Sequence, residues 1–377
     1  MPLIVFPRKL VVQRDFLESL GDFLINEGLT KVLLISDKNV YAIQGERIKK
    51  SLEGIETQLF VDVSPEPTIE AIEDAFEKLR SLNVDGIVAF GGGSVIDFAK
   101  SIAVKLSDST KNLREISPFD YIKLRFPLIA IPTTGSGSDA SFATVLTDGT
   151  RKFPTGNYSL VPMFDILDSS VFAENIDLIR NTGVDAIVTA IEAVVSNTSN
   201  IMTDAIAEKS LSVLFENLEM TMKGNRDNVD DVQLAMTMAG IAFSNSGSGL
   251  VHCLGHSFGS TFHIAHGKSV GIFLPYVIEF LSSDATTRSR YEHLASMISK
   301  GNSKSLIDLL KEFYKKIGQP LTVRDAGIAK RDYEERMGEL VEKAVEDSEL
   351  AFNPIFVSNE DVKNLFEIAY DGGDQLL

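Results

Sequence analysis

An α/β domain followed by an all-α domain is the fold class that this sequence predicts, and three observations predict it. The chain has 377 residues, beyond the size at which one hydrophobic core stops growing, so two domains are expected. Short β-branched apolar runs alternate with helical spacings as far as about residue 173, the pattern of βαβ units around a parallel sheet. Long helical patterns then follow with scarcely a strand between them. The expected division is a parallel-sheet domain over 1–173 and a helical domain over 174–377.

In chain order, strands are expected over 32–36, 59–63, 86–90 and 128–131, apolar runs closed by Asp, Pro or Gly. Helices are expected over 15–26, 45–52, 68–82 and 95–106, where apolar residues recur at three and four. Beyond residue 173 the same spacing predicts helices over 176–196, 204–223 and 229–244, and again over 270–281, 287–298, 303–317, 332–345 and 359–369. Ligands of open parallel sheets bind at the carboxyl ends of the strands, which directs attention to the loops that follow each one.

Bulk composition narrows the function. A net charge of −17 disfavours nucleic acid and anionic membrane surfaces as partners. The lone cysteine, Cys253, excludes an intramolecular disulfide and fits a reducing compartment. Residues 1–8 carry a short apolar patch without a basic n-region or a long h-region, so no signal peptide is expected and a cytoplasmic location is.

Two loops suggest a nucleotide site. Gly91, Gly92, Gly93 and Ser94 follow a strand pattern and open a helical one that contains Asp97 and Lys100. Glycines let backbone approach a bulky anion, and a helix N-terminus offers free N–H groups to a phosphate. This is not the G-x-G-x-x-G fingerprint, so alone it supports phosphate or pyrophosphate binding, with a ligand-free tight turn as the bland alternative. Thr133, Thr134, Ser136 and Ser138 put hydroxyls after the next strand. Asp37, after the strand at 32–36, is placed either to accept from a ribose or to cap the next helix.

The third feature is a histidine cluster. The chain has five histidines, and His252, His256, His263 and His266 fall within one short stretch. That stretch lies in a run from 232 to 267 without a charged residue. Imidazoles in buried surroundings serve as metal ligands or proton carriers. Glycine and serine within the stretch argue against helix on propensity alone.

Together these residues resemble the iron-dependent (group III) alcohol dehydrogenase family. The resemblance runs from Gly91–Lys100 and Pro132-Thr133-Thr134 through Asp185 with Ala190-Ile191-Glu192-Ala193 to the histidine stretch closed by His266-Gly267. It implies an N-terminal Rossmann-like dinucleotide-binding domain and a C-terminal helical domain, with hydride transfer between a nicotinamide cofactor and a small alcohol/carbonyl pair in the interdomain cleft. It implies that Gly92, Gly93 and Ser94 hold the pyrophosphate with Asp97 nearby, and that Thr133, Thr134, Ser141 and Lys152 meet the cofactor. Asp37 resembles the acidic residue that favours NAD over NADP, because a carboxylate accepts from a free 2′-hydroxyl and repels a 2′-phosphate. His256 resembles a family histidine near the substrate and is expected to move protons. A homodimer or larger homo-oligomer is also implied.

The family's metal ligands are an Asp, a His four residues later, and two later His. Asp185, His252 and His266 match three of these, but position 189 is Thr. A neutral hydroxyl is a poor ligand for Fe²⁺ or Zn²⁺ beside imidazole. Three readings stay open at this point. Asp185, His252 and His266 hold the ion alone, as in the related glycerol dehydrogenases; or the protein is a metal-independent reductase resembling maleylacetate reductase; or it is a catalytically inactive nucleotide-binding relative. Glu192 and the acidic residues at 342–349 are expected at helix surfaces or in structural contacts.

Overall fold

The computed structural model describes residues 4–118, 120–149 and 151–372. Residues 1–3 of the opening apolar patch lie outside the described residues. The chain divides into two compact units: residues 1–173 with 227–244, and residues 174–226 with 245–377. The helical segment at 227–244 therefore packs with the α/β unit, although the sequence grouped it with 174–377.

The first unit contains strands β1 (Lys9–Val12), β2 (Lys31–Ile35), β3 (Glu56–Phe60), β4 (Gly86–Gly91), β5 (Leu128–Pro132), β6 (Ala143–Asp148), β7 (Arg151–Gly156) and β8 (Phe164–Leu167). One sheet runs in the order β1-β8-β5-β4-β2-β3, and every neighbouring pair in it is parallel. β6 and β7 form a separate antiparallel hairpin. Helices α1 (Leu20–Asn26), α2 (Lys38–Ser51), α3 (Ile69–Leu79) and α4 (Gly93–Ser107) complete the α/β layers.

Alternate residues of the central strands feed two separate cores. Leu33, Ile35, Ile87, Ala89, Leu128 and Ala130 pack with α3 and α4 through Ile72, Phe76, Ile96 and Phe98. Val32, Leu34, Val88, Phe90, Ile129 and Ile131 pack on the other face with Leu20, Leu24 and Ile48 of α1 and α2. Strands covered on both faces read as continuous apolar runs, which is why β2, β4 and β5 were visible in the sequence.

The remaining strands were misplaced or not visible, for related reasons. β3 lies three residues before its expected place because it is an edge strand whose Glu56, Gln58 and Leu59 are exposed. Pairing with β2, from Lys31↔Glu56 to Ile35↔Phe60, sets its register instead of hydrophobicity. β1 is also an edge and largely exposed, β8 is only four residues long, and β7 contains Pro154.

Strand order reverses at β2: β3 lies on one side of it and β4 on the other. Such a switch point opens a crevice at the carboxyl ends of the strands. Asp37 follows β2 and Gly92-Gly93 follow β4, so both flank it.

After β8 the chain forms α5 (Ile176–Val195) and α6 (Ile201–Met222), then α7 (Val229–Ser246). α7 lies along the loop after β5. Gln233 Nε2 donates to the Pro132 carbonyl at 3.2 Å, Thr237 Oγ1 to Asp139 Oδ2 at 2.8 Å, and the Phe142 N–H to Ser244 Oγ at 3.1 Å. Gly137 has φ 71° and touches Gly240, where an added Cβ would stand 2.6 Å from the Gly137 Cα.

The second unit adds α8 (Leu250–Phe262), α9 (His266–Leu281), α10 (Ala285–Ile298), α11 (Leu306–Ile317), α12 (Lys330–Glu335), α13 (Met337–Val345) and α14 (Asn359–Ala369). α5 packs against α6 and α9, and α8 packs against α9 and α13. α8 is helical despite Gly255, Ser257, Gly259 and Ser260, because nearly all of it is buried and Ser257 Oγ donates to the Leu340 carbonyl at 2.7 Å. Packing overrides propensity there. Among the described residues, no helix is long and apolar enough to cross a membrane.

Gly240→Ala tests the α7 contact. Overpacking against backbone typically costs about 1–3 kcal/mol, so the denaturant midpoint is expected to fall; an unchanged midpoint would show that the contact relaxes freely.

Candidate active site

In the first unit the loop after β4 turns directly into α4. Gly92 is the N-cap, and no side chain caps the helix, which leaves its leading N–H groups available to an anion. A Cβ on Gly93 would lie 2.8 Å from Ser136 Oγ, so glycine allows this loop to sit against the one after β5. Thr133 and Thr134 are buried on that second loop, and the Thr133 N–H donates to the Gly91 carbonyl at 3.0 Å. Two loops rich in glycine and hydroxyls thus meet beside the switch point.

The other residues expected at the cofactor divide by what they touch. Asp37 caps α2, its Oδ1 accepting from the Asn39 and Val40 N–H groups at 2.8 and 3.0 Å. Asp97 is buried and turned inward, accepting from Ser138 Oγ and, at 2.9 Å, from the Val145 N–H. Ser141 is buried, and its carbonyl accepts from Lys100 Nζ at 2.8 Å. Lys152 pairs with Glu66 at 2.5 Å.

In the second unit, helical spacing puts Asp185, Thr189 and Glu192 on one stripe of α5. His252 and His256 stand one turn apart on α8. His266 opens α9, and Gly267 beside it lets α9 meet α5: an added Cβ would fall 1.7 Å from the Asn181 carbonyl oxygen. Asp185, His252 and His266 converge, each offering one ligand atom within 4.8 Å of the others. Asp185 Oδ1 stands 3.2 Å from His266 Nε2 and 3.7 Å from His252 Nε2. This oxygen is buried, and among the described residues no group of suitable geometry donates a hydrogen bond to it.

Carboxylates orient the imidazoles. Glu192 Oε2 binds His252 Nδ1 at 2.5 Å, while its Oε1 accepts the Val251 N–H at the start of α8 at 2.7 Å. Asp347 Oδ2 binds His256 Nδ1 at 2.7 Å. A carboxylate on Nδ1 fixes the tautomer with Nε2 free, the arrangement found behind metal-bound histidines. The His256 ring stacks on that of His266 with centroids 5.1 Å apart. Glu349 accepts from Ser248 Oγ at 2.8 Å, just before α8.

The electrostatics suit a cation. Burial opposes ionisation of Asp185, but the nearby His266 and His252 outweigh it and hold the carboxyl below the usual carboxylate range. Burial likewise opposes protonation of His252, but the Asp185 and Glu192 carboxylates beside it push it up to about 10. Two carboxylates on one imidazole favour a positive charge there, and a divalent ion satisfies the same demand.

The other residues singled out in the sequence lie around this cluster or away from it. His263 is exposed at the left-handed C-cap of α8, with φ 55°, and stands apart from the Asp185 cluster. Thr189 is buried one turn from Asp185. Of the two alternatives expected for the acidic residues, Glu192, Asp347 and Glu349 take the structural contact: Glu192 and Glu349 are buried, and Asp347 engages His256. Helical spacing from Asp185 was the available signal for Glu192. Nothing local marked Asp347, which sits 91 residues from its partner.

Comparison with known proteins gives the same picture. Residues 7–169 match the family described as iron-containing alcohol dehydrogenase, and residues 179–370 match the Fe-containing alcohol dehydrogenase family, C-terminal. The NADPH-dependent butanol dehydrogenase of Clostridium saccharobutylicum is 34% identical over 85% of this chain and 85% of its own. An alcohol dehydrogenase of Thermococcus barophilus is 33% identical over 90% of this chain and 92% of its own. The solved iron-containing alcohol dehydrogenase of Thermococcus thioreducens superposes with a TM-score of 0.89 at 29% identity, covering 98% of this chain and 100% of that one. With both halves matched in order, the chain belongs to the iron-containing alcohol dehydrogenase family.

Proposed function

We propose that this protein transfers hydride between NAD(H) and a small alcohol/aldehyde or ketone pair, with a divalent cation held by Asp185, His252 and His266. The observation that carries this reading is the buried Asp185 Oδ1, which has no hydrogen-bond donor of suitable geometry among the described residues and faces two imidazole Nε2 atoms. A buried carboxylate is retained only where positive charge answers it, and three protein ligands with an open position are the usual catalytic zinc arrangement. When bound, Fe²⁺ or Zn²⁺ supplies a Lewis acid for the substrate oxygen.

The chain's own residues do the rest. The uncapped α4 N-terminus with Gly92, Gly93 and Ser94 binds the pyrophosphate, and Thr133 and Thr134 border the same cradle. Glu192 keeps the His252 Nε2 lone pair directed at the ion. Asp347 holds His256 by Nδ1, leaving Nε2 to exchange the proton that the alcohol oxygen gains or loses. Thr189 specifically favours a second reading, in which the ion is dispensable and hydroxyl and imidazole donors stabilise the developing oxyanion.

Asp37 supports NADH over NADPH. Its Oδ1 caps α2, and a 2′-phosphate beside this carboxylate would be repelled. The relative from Clostridium saccharobutylicum is NADPH-dependent by its own description, so the NADH reading rests on Asp37 alone.

Two outcomes are expected. Purified protein oxidises NADH with small aldehydes, and Asp37→Ser shifts the NADPH/NADH ratio of kcat/KM upward by about tenfold. An unaltered ratio would remove Asp37 from cofactor selection, and no NADH turnover with any carbonyl would sink the functional reading. Glu192→Gln weakens Zn²⁺ affinity by about 10–100-fold in calorimetry; wild-type affinity would mean that His252 needs no carboxylate behind it.

A further inference from the structure

Lys100 is fully buried on α4, two turns beyond the phosphate-binding end. Its ammonium donates to Ser138 Oγ at 3.3 Å, the Ser141 carbonyl at 2.8 Å and the Ala143 carbonyl at 2.7 Å. Asp97, nearly one turn earlier, binds Ser138 Oγ and the Val145 N–H. One face of α4 thus fastens the segment 138–145, while α7 fastens the same loop from Pro132 to Phe142. Asp97, Asp139 and Asp165 supply the negative charge facing the ammonium.

A buried lysine is costly unless its donors are satisfied and its charge is matched. Here it does what a neutral side chain cannot: three donors on one atom gather a hydroxyl and two backbone carbonyls from the one stretch that leads from the loop after β5 into β6. That segment begins with Thr133 and Thr134 and passes Ser136, which packs on Gly93. The shape of the cradle follows from where this segment is held.

We propose that Lys100 is a positioning residue for the nicotinamide cofactor, tying segment 133–143 to α4 so that the pyrophosphate cradle is formed before the dinucleotide arrives. A preformed cradle binds more tightly because the loop is not ordered at the ligand's expense. The inference rests on the dinucleotide reading of the α4 N-terminus.

The test is NADH titration by fluorescence on the full chain, with kcat, KM and metal content measured in parallel. Lys100→Met is expected to weaken NADH binding by about tenfold, equivalent to roughly 1.4 kcal/mol, and to raise KM for NADH. Metal content and kcat at saturating NADH stay near parent values, a split that general loss of structure would not produce. Should Lys100→Met fail to fold by circular dichroism, Ser138→Ala carries the test. It removes one anchor and is expected to weaken NADH by about threefold, a loss within the range of a single hydrogen bond. Parent-level NADH affinity in the folded variant overturns the inference alone. Absence of NADH binding by the parent protein overturns the dinucleotide reading and this inference with it.

Discussion

Burying a carboxylate among helices demands positive charge, and Asp185 imposes that demand on the second unit. Among the described residues its Oδ1 has no hydrogen-bond donor of suitable geometry, yet the nearby imidazoles hold it ionised. The elements around it make sense as ways of meeting this requirement. α8 is helical against its own propensity because its histidines must stand one turn apart and because Glu192 binds both its first turn and His252. α9 begins at His266 because glycine alone lets it approach α5 so closely. Asp347 then holds the neighbouring imidazole, completing a cluster in which each ring except that of the exposed His266 is anchored by a carboxylate on Nδ1.

The first unit solves the converse problem with a buried cation. Lys100 is answered by carboxylates and by two backbone carbonyls. Burial brings it down to about 8, against the opposing pull of Asp97, Asp139 and Asp165. Asp139 and Asp165 are both pushed upward by desolvation, and Asp165 most of all because Asp139 lies beside it. In both units, ionised groups are buried where a loop or ligand has to be held in one geometry.

How much of this was legible follows from periodicity and distance along the chain. β2, β4 and β5 were readable because both faces are buried, and α5 because its apolar spacing is long and regular. β3, the hairpin β6–β7 and the edge strand β1 were misplaced or missed, since exposed or Pro-containing strands carry little apolar signal. Asp185, His252 and His266 were identified by their likeness to a known ligand set, and the structure brings their ligand atoms together. The partners of those residues were less accessible. The bond of Asp97 to Ser138 spans 41 residues, and Asp347 reaches His256 from a distant turn. Hydrogen bonds between residues far apart in sequence leave no periodic trace, so only the fold reveals them.

The central claim is that Asp185, His252 and His266 suffice for a functional cation although Thr189 replaces the fourth expected ligand. Metal content and NADH-dependent carbonyl reduction, measured on one preparation before chelation, after it, and after adding back Fe²⁺ or Zn²⁺, test it most directly. The account predicts about one divalent ion per chain, loss of activity with the ion, and recovery on its return. Full activity in metal-free protein would contradict it.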